Sequence, residues 1–171
     1  NAFDGLVKDG LFSVFSNSYL VVLGEDIDVN YARYSNDRAK EYQIKTVICE
    51  SESDGKEVRK YPLTDDAKEH VANLPAAYES LTKRYEGSGL KVNKCNLVET
   101  DREFYAAFEF VQGHTLSELM DACLDKQDFD GFMKLFDKYL EYTGHNEDYP
   151  VADFDLVFSN ILVHGDDWTL I

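Results

Sequence analysis

The sequence is poor in cysteine, and its few thiols are badly placed for a disulfide framework. Cys49, Cys95 and Cys123 are far apart in the chain, odd in number and form no C-x-x-C pair. Disulfides and a zinc site are therefore not expected, and a reducing, cytoplasmic compartment is the simplest interpretation. The four histidines show no metal-ligand spacing and are expected to be solvated or locally hydrogen-bonded.

Basic residues are also scarce. The chain has 17 Lys and Arg against 33 Asp and Glu, which gives a formal net charge of −16. Such a chain repels polyanions, so a nucleic-acid surface or an anionic membrane surface is not expected. A nucleotide site remains compatible, because a few basic groups, backbone N–H groups and Mg²⁺ can outweigh the global charge locally.

Long apolar runs and secretory signals are missing as well, which predicts a soluble protein without a transmembrane segment. No internal repeat is found. No glycine-rich loop follows a strand, so residues 1–171 are not expected to bind S-adenosylmethionine by themselves. Asn1 and Ala2 are interpreted as the scar of a cleaved expression tag. The chain does have 44% apolar residues, with 11 Tyr and 11 Phe, enough for one domain or a piece of a larger one.

Strand patterns dominate the first two thirds of the chain. The apolar run 18–23 fits a buried strand, and 42–48 alternates as a half-buried strand does. Residues 31–34 are its expected hairpin partner, and 57–60, stopped by Pro62, is the third strand of an antiparallel meander. Two further strands are predicted over 90–97 and 103–111.

Helical patterns follow these strands. Thr64 is predicted to begin a helix whose apolar stripe continues in phase past Pro75, where a kink is expected, and which stops at Gly87 and Gly89. Thr115 and Glu118 form a capping box for a helix through about residue 124. Another striped helix runs from 129 to near 144. The chain then returns to strands, with a hairpin tip at 164–167.

Asp155 and Asn160, near the end of the chain, form the most informative pair. A carboxylate can accept the proton of an attacking hydroxyl, and an amide oxygen five residues later can hold Mg²⁺ against phosphates. The spacing alone is weak, since Asp and Asn are common in turns. Asp153 and Asp155 read equally as turn carboxylates when they are taken alone.

The order of strands, helix, strands, hinge, helices and Asp-x-x-x-x-Asn resembles the protein-kinase-like fold in its aminoglycoside-phosphotransferase-like branch, over about residues 27–171. The implied fold class is α+β, with an antiparallel-sheet N-lobe at 27–111, one main helix, and an incomplete helical C-lobe at 112–171. Residues 108–116 (Phe-Glu-Phe-Val-Gln-Gly-His-Thr-Leu) look like the family's hinge. An ordinary strand–loop–helix junction is the alternative.

The resemblance implies a site for ATP and Mg²⁺. Adenine would use the carbonyl of Glu109 and the amide of Val111, with Phe108 behind the ring. Lys60, otherwise a solvated strand lysine, would hold the phosphates, with a helix acid, Glu79 or Glu69, as its partner and Glu79 nearer to the apolar stripe. Asp155 would be the catalytic base and Asn160 the metal-binding amide. No Gly-x-Gly-x-x-Gly loop is present, so residues 35–38 would have to cover the phosphates.

The last segment also resembles the kinase-like domain attached to S-adenosylmethionine-dependent methyltransferases in bacterial surface-polysaccharide enzymes. Residues 9–24 look like the last hairpin of such a methyltransferase, which makes 1–26 a separate segment and the chain an excised piece; a simple N-terminal extension is the alternative. The family's second metal-binding Asp would follow Ile171, so the fragment is expected to be nearly inactive. The implied function is a phosphotransferase for a sugar or glycan hydroxyl, and the alternative is a pseudokinase or scaffold beside a methyltransferase.

Overall fold

The computed structural model describes residues 29–50 and 55–171. The predicted strand at 18–23, the methyltransferase-like segment at 1–26 and most of the turn at 50–55 lie outside the described residues. Within them the chain forms nine strands and three α-helices, in the following chain order: β1 (Val29–Tyr34), β2 (Ile44–Glu50), β3 (Lys56–Pro62), α1 (Lys68–Arg84), β4 (Leu90–Val92), β5 (Cys95–Glu99), β6 (Phe104–Glu109), β7 (His114–Thr115), α2 (Leu116–Asp125), α3 (Phe129–Thr143), β8 (Ile161–His164) and β9 (Asp167–Leu170).

The architecture is mixed α+β, with two sheets. Strands β1, β2, β3, β6 and β5 lie side by side in that order, and every neighbouring pair is antiparallel. The predicted meander of the first three strands is confirmed. A second sheet has the order β4-β9-β8-β7, in which only the β4–β9 pair is parallel. Among the described residues no helix is long and apolar enough to cross a membrane.

Two strand predictions are wrong in their boundaries. Tyr42 lies in a 3-10 turn, because its N–H donates to Ala39 O, so β2 begins only at Ile44. The single strand expected over 90–97 is two strands that belong to different sheets. The break is at the buried Asn93, whose N–H donates to Leu170 O at 2.8 Å while its side chain turns to the other sheet.

Helix α1 begins later than predicted. Thr64 closes a separate turn instead, since its Oγ1 accepts from the N–H of Ala67 and donates to Lys40 O. The helix then starts at Lys68 and continues past Pro75 to Arg84, as its unbroken stripe indicated. Val71, fully buried on this helix, packs with Ala106 of β6 in one of two hydrophobic cores.

The helices α2 and α3 agree with their predicted signals. The capping box is present, with Glu118 N donating to Thr115 Oγ1 at 3.1 Å and Thr115 N donating to the Glu118 carboxylate at 2.9 Å. Helix α3 ends at its C-cap Gly144. The β8–β9 hairpin turns through Gly165 with a φ of 59°. The second core lies between these helices and this hairpin, around Leu116, and joins them into one unit.

Candidate functional site: a cleft between the two sheets

A cleft of about 490 Å³ lies between one face of the five-stranded sheet and the loop that precedes β8. It contains six of the seven residues that the sequence singled out: Lys60, Phe108, Glu109, Val111, Asp155 and Asn160. The seventh, Glu79, is exposed on α1 and is not part of the lining. The fold therefore brings together residues that are up to 100 positions apart in the chain.

The strand register divides the floor of the cleft into two rows. Tyr31, Ile48, Val58 and Phe108 are direct partners across four strands and form an apolar row. Two residues further along, Arg33, Thr46 and Lys60 form a polar row on the same face. Because side chains alternate along a strand, both rows point to the same side, about 7 Å apart.

Lys60 is the half-buried cation of this floor. Its Nζ lies 4.5 Å from the centroid of the Phe108 ring. Burial lowers the pKa of the Lys60 ammonium, and the Asp155 carboxylate opposes this shift. Among the described residues no acid lies within ion-pair distance of Lys60. The predicted pairing of Lys60 with Glu79 is therefore not supported by these contacts, and Asp155 is the nearby acid.

The loop that carries Asp155 is held by Asp153. One Asp153 oxygen accepts the backbone N–H of Asp155 at 3.1 Å, and the other accepts the hydroxyl of Tyr85 at 3.0 Å. Tyr85 is only 2% exposed, and burial together with the Asp153 carboxylate raises its pKa, so the hydroxyl stays protonated and donates. Tyr139 adds a second support, since its hydroxyl donates to Leu156 O at 2.8 Å. The sequence patterns placed both tyrosines in apolar helix stripes and did not predict that their hydroxyls hold this loop.

Asn160 is tied to the same loop through its side chain. Its Nδ2 donates to the backbone carbonyl of Asp155 at 3.0 Å, and its own carbonyl accepts the N–H of Ile171 at 2.9 Å. Its side-chain amide oxygen accepts no hydrogen bond from residues 29–50 or 55–171. With the carboxylate of Asp155 it offers hard oxygen ligands of the kind that Mg²⁺ prefers. No group of three or more His, Cys, Asp or Glu suited to a metal exists in the described part of the chain.

The segment after β6 forms the edge of the cleft. The Glu109 carbonyl accepts the side-chain amide of Asn93 at 3.0 Å. Gly113 lies so close to β8 that a Cβ would meet Val163 O at 2.7 Å. The glycine therefore allows this segment to lie directly on the second sheet. The sequence marked Asn93 only as a polar residue between two apolar runs. That pattern did not predict its contacts with two sheets.

The turn between β1 and β2 closes one end of the cleft, where Ser35 and Arg38 line it. Gln43 holds this turn, since its Nε2 donates to Asn36 O and to Arg38 O at 3.2 and 2.8 Å. His70 lies nearby on α1. Burial lowers the pKa of His70, and the charges of Arg38 and Lys60 add to that effect.

Replacing Tyr85 by Phe is expected to lower the free energy of unfolding by about 2 kcal/mol, because the hydrogen bond from the buried Tyr85 to the half-buried Asp153 carboxylate is lost. Urea denaturation measures this. Tyr78→Phe, on α1 just before Tyr85 in the chain, removes a hydroxyl that makes no described hydrogen bond and serves as the control. Equal effects of the two changes would show that the Tyr85–Asp153 contact does not hold the loop.

No family model matches the chain, and no curated protein matches its sequence. The function is therefore argued from the cleft itself.

Proposed function

We propose that this chain is a protein-kinase-like domain that transfers phosphate from ATP to a hydroxyl group. The observation that carries the proposal is the convergence of Lys60, Asp155 and Asn160 on one cleft, with the Asn160 amide bonded to the Asp155 backbone. A cation for phosphates, a carboxylate for the hydroxyl proton and an amide oxygen for a metal are the parts that phosphoryl transfer needs.

The apolar row supports a place for the adenine ring. Ile48, Val58 and Phe108 offer flat apolar surface beside the Phe108–Val111 segment. The carbonyl of Glu109 and the backbone N–H of Val111 are the hydrogen-bonding groups expected there. The polar row lies two residues further along the strands. The phosphates of a nucleotide whose adenine contacts the apolar row would lie against it.

Asp155 is proposed as the general base. Its backbone is held at both the N–H and the carbonyl, so its carboxylate is oriented before the acceptor arrives. It accepts the proton of the acceptor hydroxyl as the oxygen attacks the terminal phosphorus. When Mg²⁺ is bound, Asn160 would hold it, and the ion would neutralise phosphate charge.

The acceptor is proposed to be a sugar or glycan hydroxyl, within a larger cytoplasmic enzyme of surface-polysaccharide synthesis that also carries a methyltransferase. Only the resemblance of residues 9–24 and of the last segment supports this finer proposal. A non-catalytic pseudokinase or scaffold is the second candidate. The absence of an acid within ion-pair distance of Lys60, among the described residues, favours it.

Calorimetric titration with Mg·ATP, together with an assay of ADP release in the presence of sugar acceptors, both made in the protein that carries this chain, tests the proposal. Lys60→Met is expected to weaken ATP binding about tenfold or more, because a charge-assisted contact with phosphate is lost. Lys134→Met, which removes an exposed lysine of α3, should leave binding unchanged. No ATP binding would contradict the phosphotransferase and favour the scaffold, whereas ATP binding without any transfer would favour the pseudokinase.

A further inference from the structure

The cleft is more basic than the chain around it. Three cations, Arg33, Arg38 and Lys60, line it, against the two acids Glu109 and Asp155. The whole chain has a net charge of −16, so this local excess of positive charge runs against the composition. Cations concentrated in one cleft of an acidic protein indicate an anionic ligand.

The two arginines are available to such a ligand. Neither Arg33 nor Arg38 forms an ion pair with any residue in 29–50 or 55–171, and both side chains are exposed. Arg59 provides the contrast, since its Nε is bound to Glu57 at 2.6 Å on the opposite face of the sheet. The guanidinium groups of the cleft therefore keep their fork of N–H donors for phosphate oxygens.

The positions of these three cations also suit a single extended anionic ligand. Arg33 and Lys60 flank Thr46 in the polar row, and Arg38 approaches from the turn, close enough for its charge to act on Lys60. The turn is fixed by both hydrogen bonds of Gln43 and by Ser35 N donating to Ile44 O at 2.9 Å. A turn held in this way presents Arg38 without a large ordering cost.

We propose that Arg33 and Arg38, with Lys60, form a polyphosphate clamp that binds a nucleoside triphosphate without a divalent ion. Side-chain guanidinium groups would replace the backbone N–H groups of a glycine-rich loop, which this chain lacks. The clamp neutralises phosphate charge directly, so Mg²⁺ would serve the transfer step and not the binding step. This inference rests on the proposed nucleotide site but not on catalysis.

The test is calorimetric titration of the whole chain with ATP in EDTA, and with ATP plus Mg²⁺. We expect the two dissociation constants to agree within about tenfold, and inorganic tripolyphosphate in EDTA to compete with ATP. Arg33→Gln and Arg38→Gln should each weaken binding in EDTA about tenfold. Arg38→Lys should weaken binding in EDTA by less than Arg38→Gln does. Lysine keeps the positive charge but lacks the planar fork of N–H donors.

Arg102→Gln is the matched control, because Arg102 is an exposed arginine outside the cleft lining. Thermal melting of each variant checks that the fold is retained. Binding that requires Mg²⁺ overturns the clamp and leaves the phosphotransferase intact. Binding in EDTA that is lost in the arginine variants, with no phosphoryl transfer by the protein that carries this chain, supports the clamp and overturns the phosphotransferase. No ATP binding in either buffer overturns the clamp.

Discussion

Asp155→Asn is expected to lower the rate of phosphoryl transfer about a thousandfold, while ATP binds as tightly as in the wild type. The change keeps the shape of the side chain and removes the group that accepts the hydroxyl proton, and general-base catalysis contributes about 10²- to 10⁴-fold. The backbone contacts of Asp155 with Asp153 and Asn160 do not involve its carboxylate. ADP release with a sugar acceptor gives the rate, and calorimetry gives the affinity for ATP.

Asp166→Asn is the control for this experiment. Asp166 is exposed at the tip of the β8–β9 hairpin and lies outside the cleft lining, so its loss should not change the rate. The assay is made in the protein that carries this chain. An Asp155→Asn variant with wild-type turnover would remove Asp155 from the mechanism, even if ATP binding were retained.

Leu116→Ala is expected to lower the free energy of unfolding by about 3 kcal/mol, because it removes a buried side chain and leaves a cavity. Leu116 is 0% exposed at the start of α2 and packs in the core that contains Ile161 of β8 and Trp168 of β9. Chemical denaturation measures the change. Since Asn160 directly precedes β8, loss of this core should also reduce ATP-dependent activity at moderate denaturant concentrations.

Leu124→Ala gives the matched comparison on the same helix. Leu124 is 47% exposed, so its truncation should cost less than about 1 kcal/mol. Similar losses for the two leucines would mean that the second core does not hold α2 against the hairpin.

Elements that rest on hydrogen bonds between residues three or four positions apart were predictable. The Thr115–Glu118 capping box, the end of α3 at Gly144 and the turn at Gly165 are all short-range features whose residue types determine the local backbone. Apolar stripes likewise predicted α1 through Pro75. Two observed boundaries differ from the predicted ones because a local turn forms instead. These turns are at Thr64, before α1, and at Tyr42, before β2.

Long-range pairing could not be predicted in the same way. The run 90–97 has one continuous strand pattern, yet Asn93 divides it between two sheets because its partners, Leu170 and Glu109, come from distant strands. Side-chain period alone does not say which acid a lysine will face, and the fold brings Asp155 to it.

The sequence by itself determined the three-strand meander, the three helices and their order, the acidic composition, and the Asp155–Asn160 pair with its five-residue spacing. Only the tertiary structure decided that this pair faces Lys60 and that Tyr85 and Asp153 orient it. It also aligned Arg33 with Lys60 across β2. The physical reason is that local structure follows from neighbours in the chain, whereas the cleft depends on strand register and core packing between distant segments.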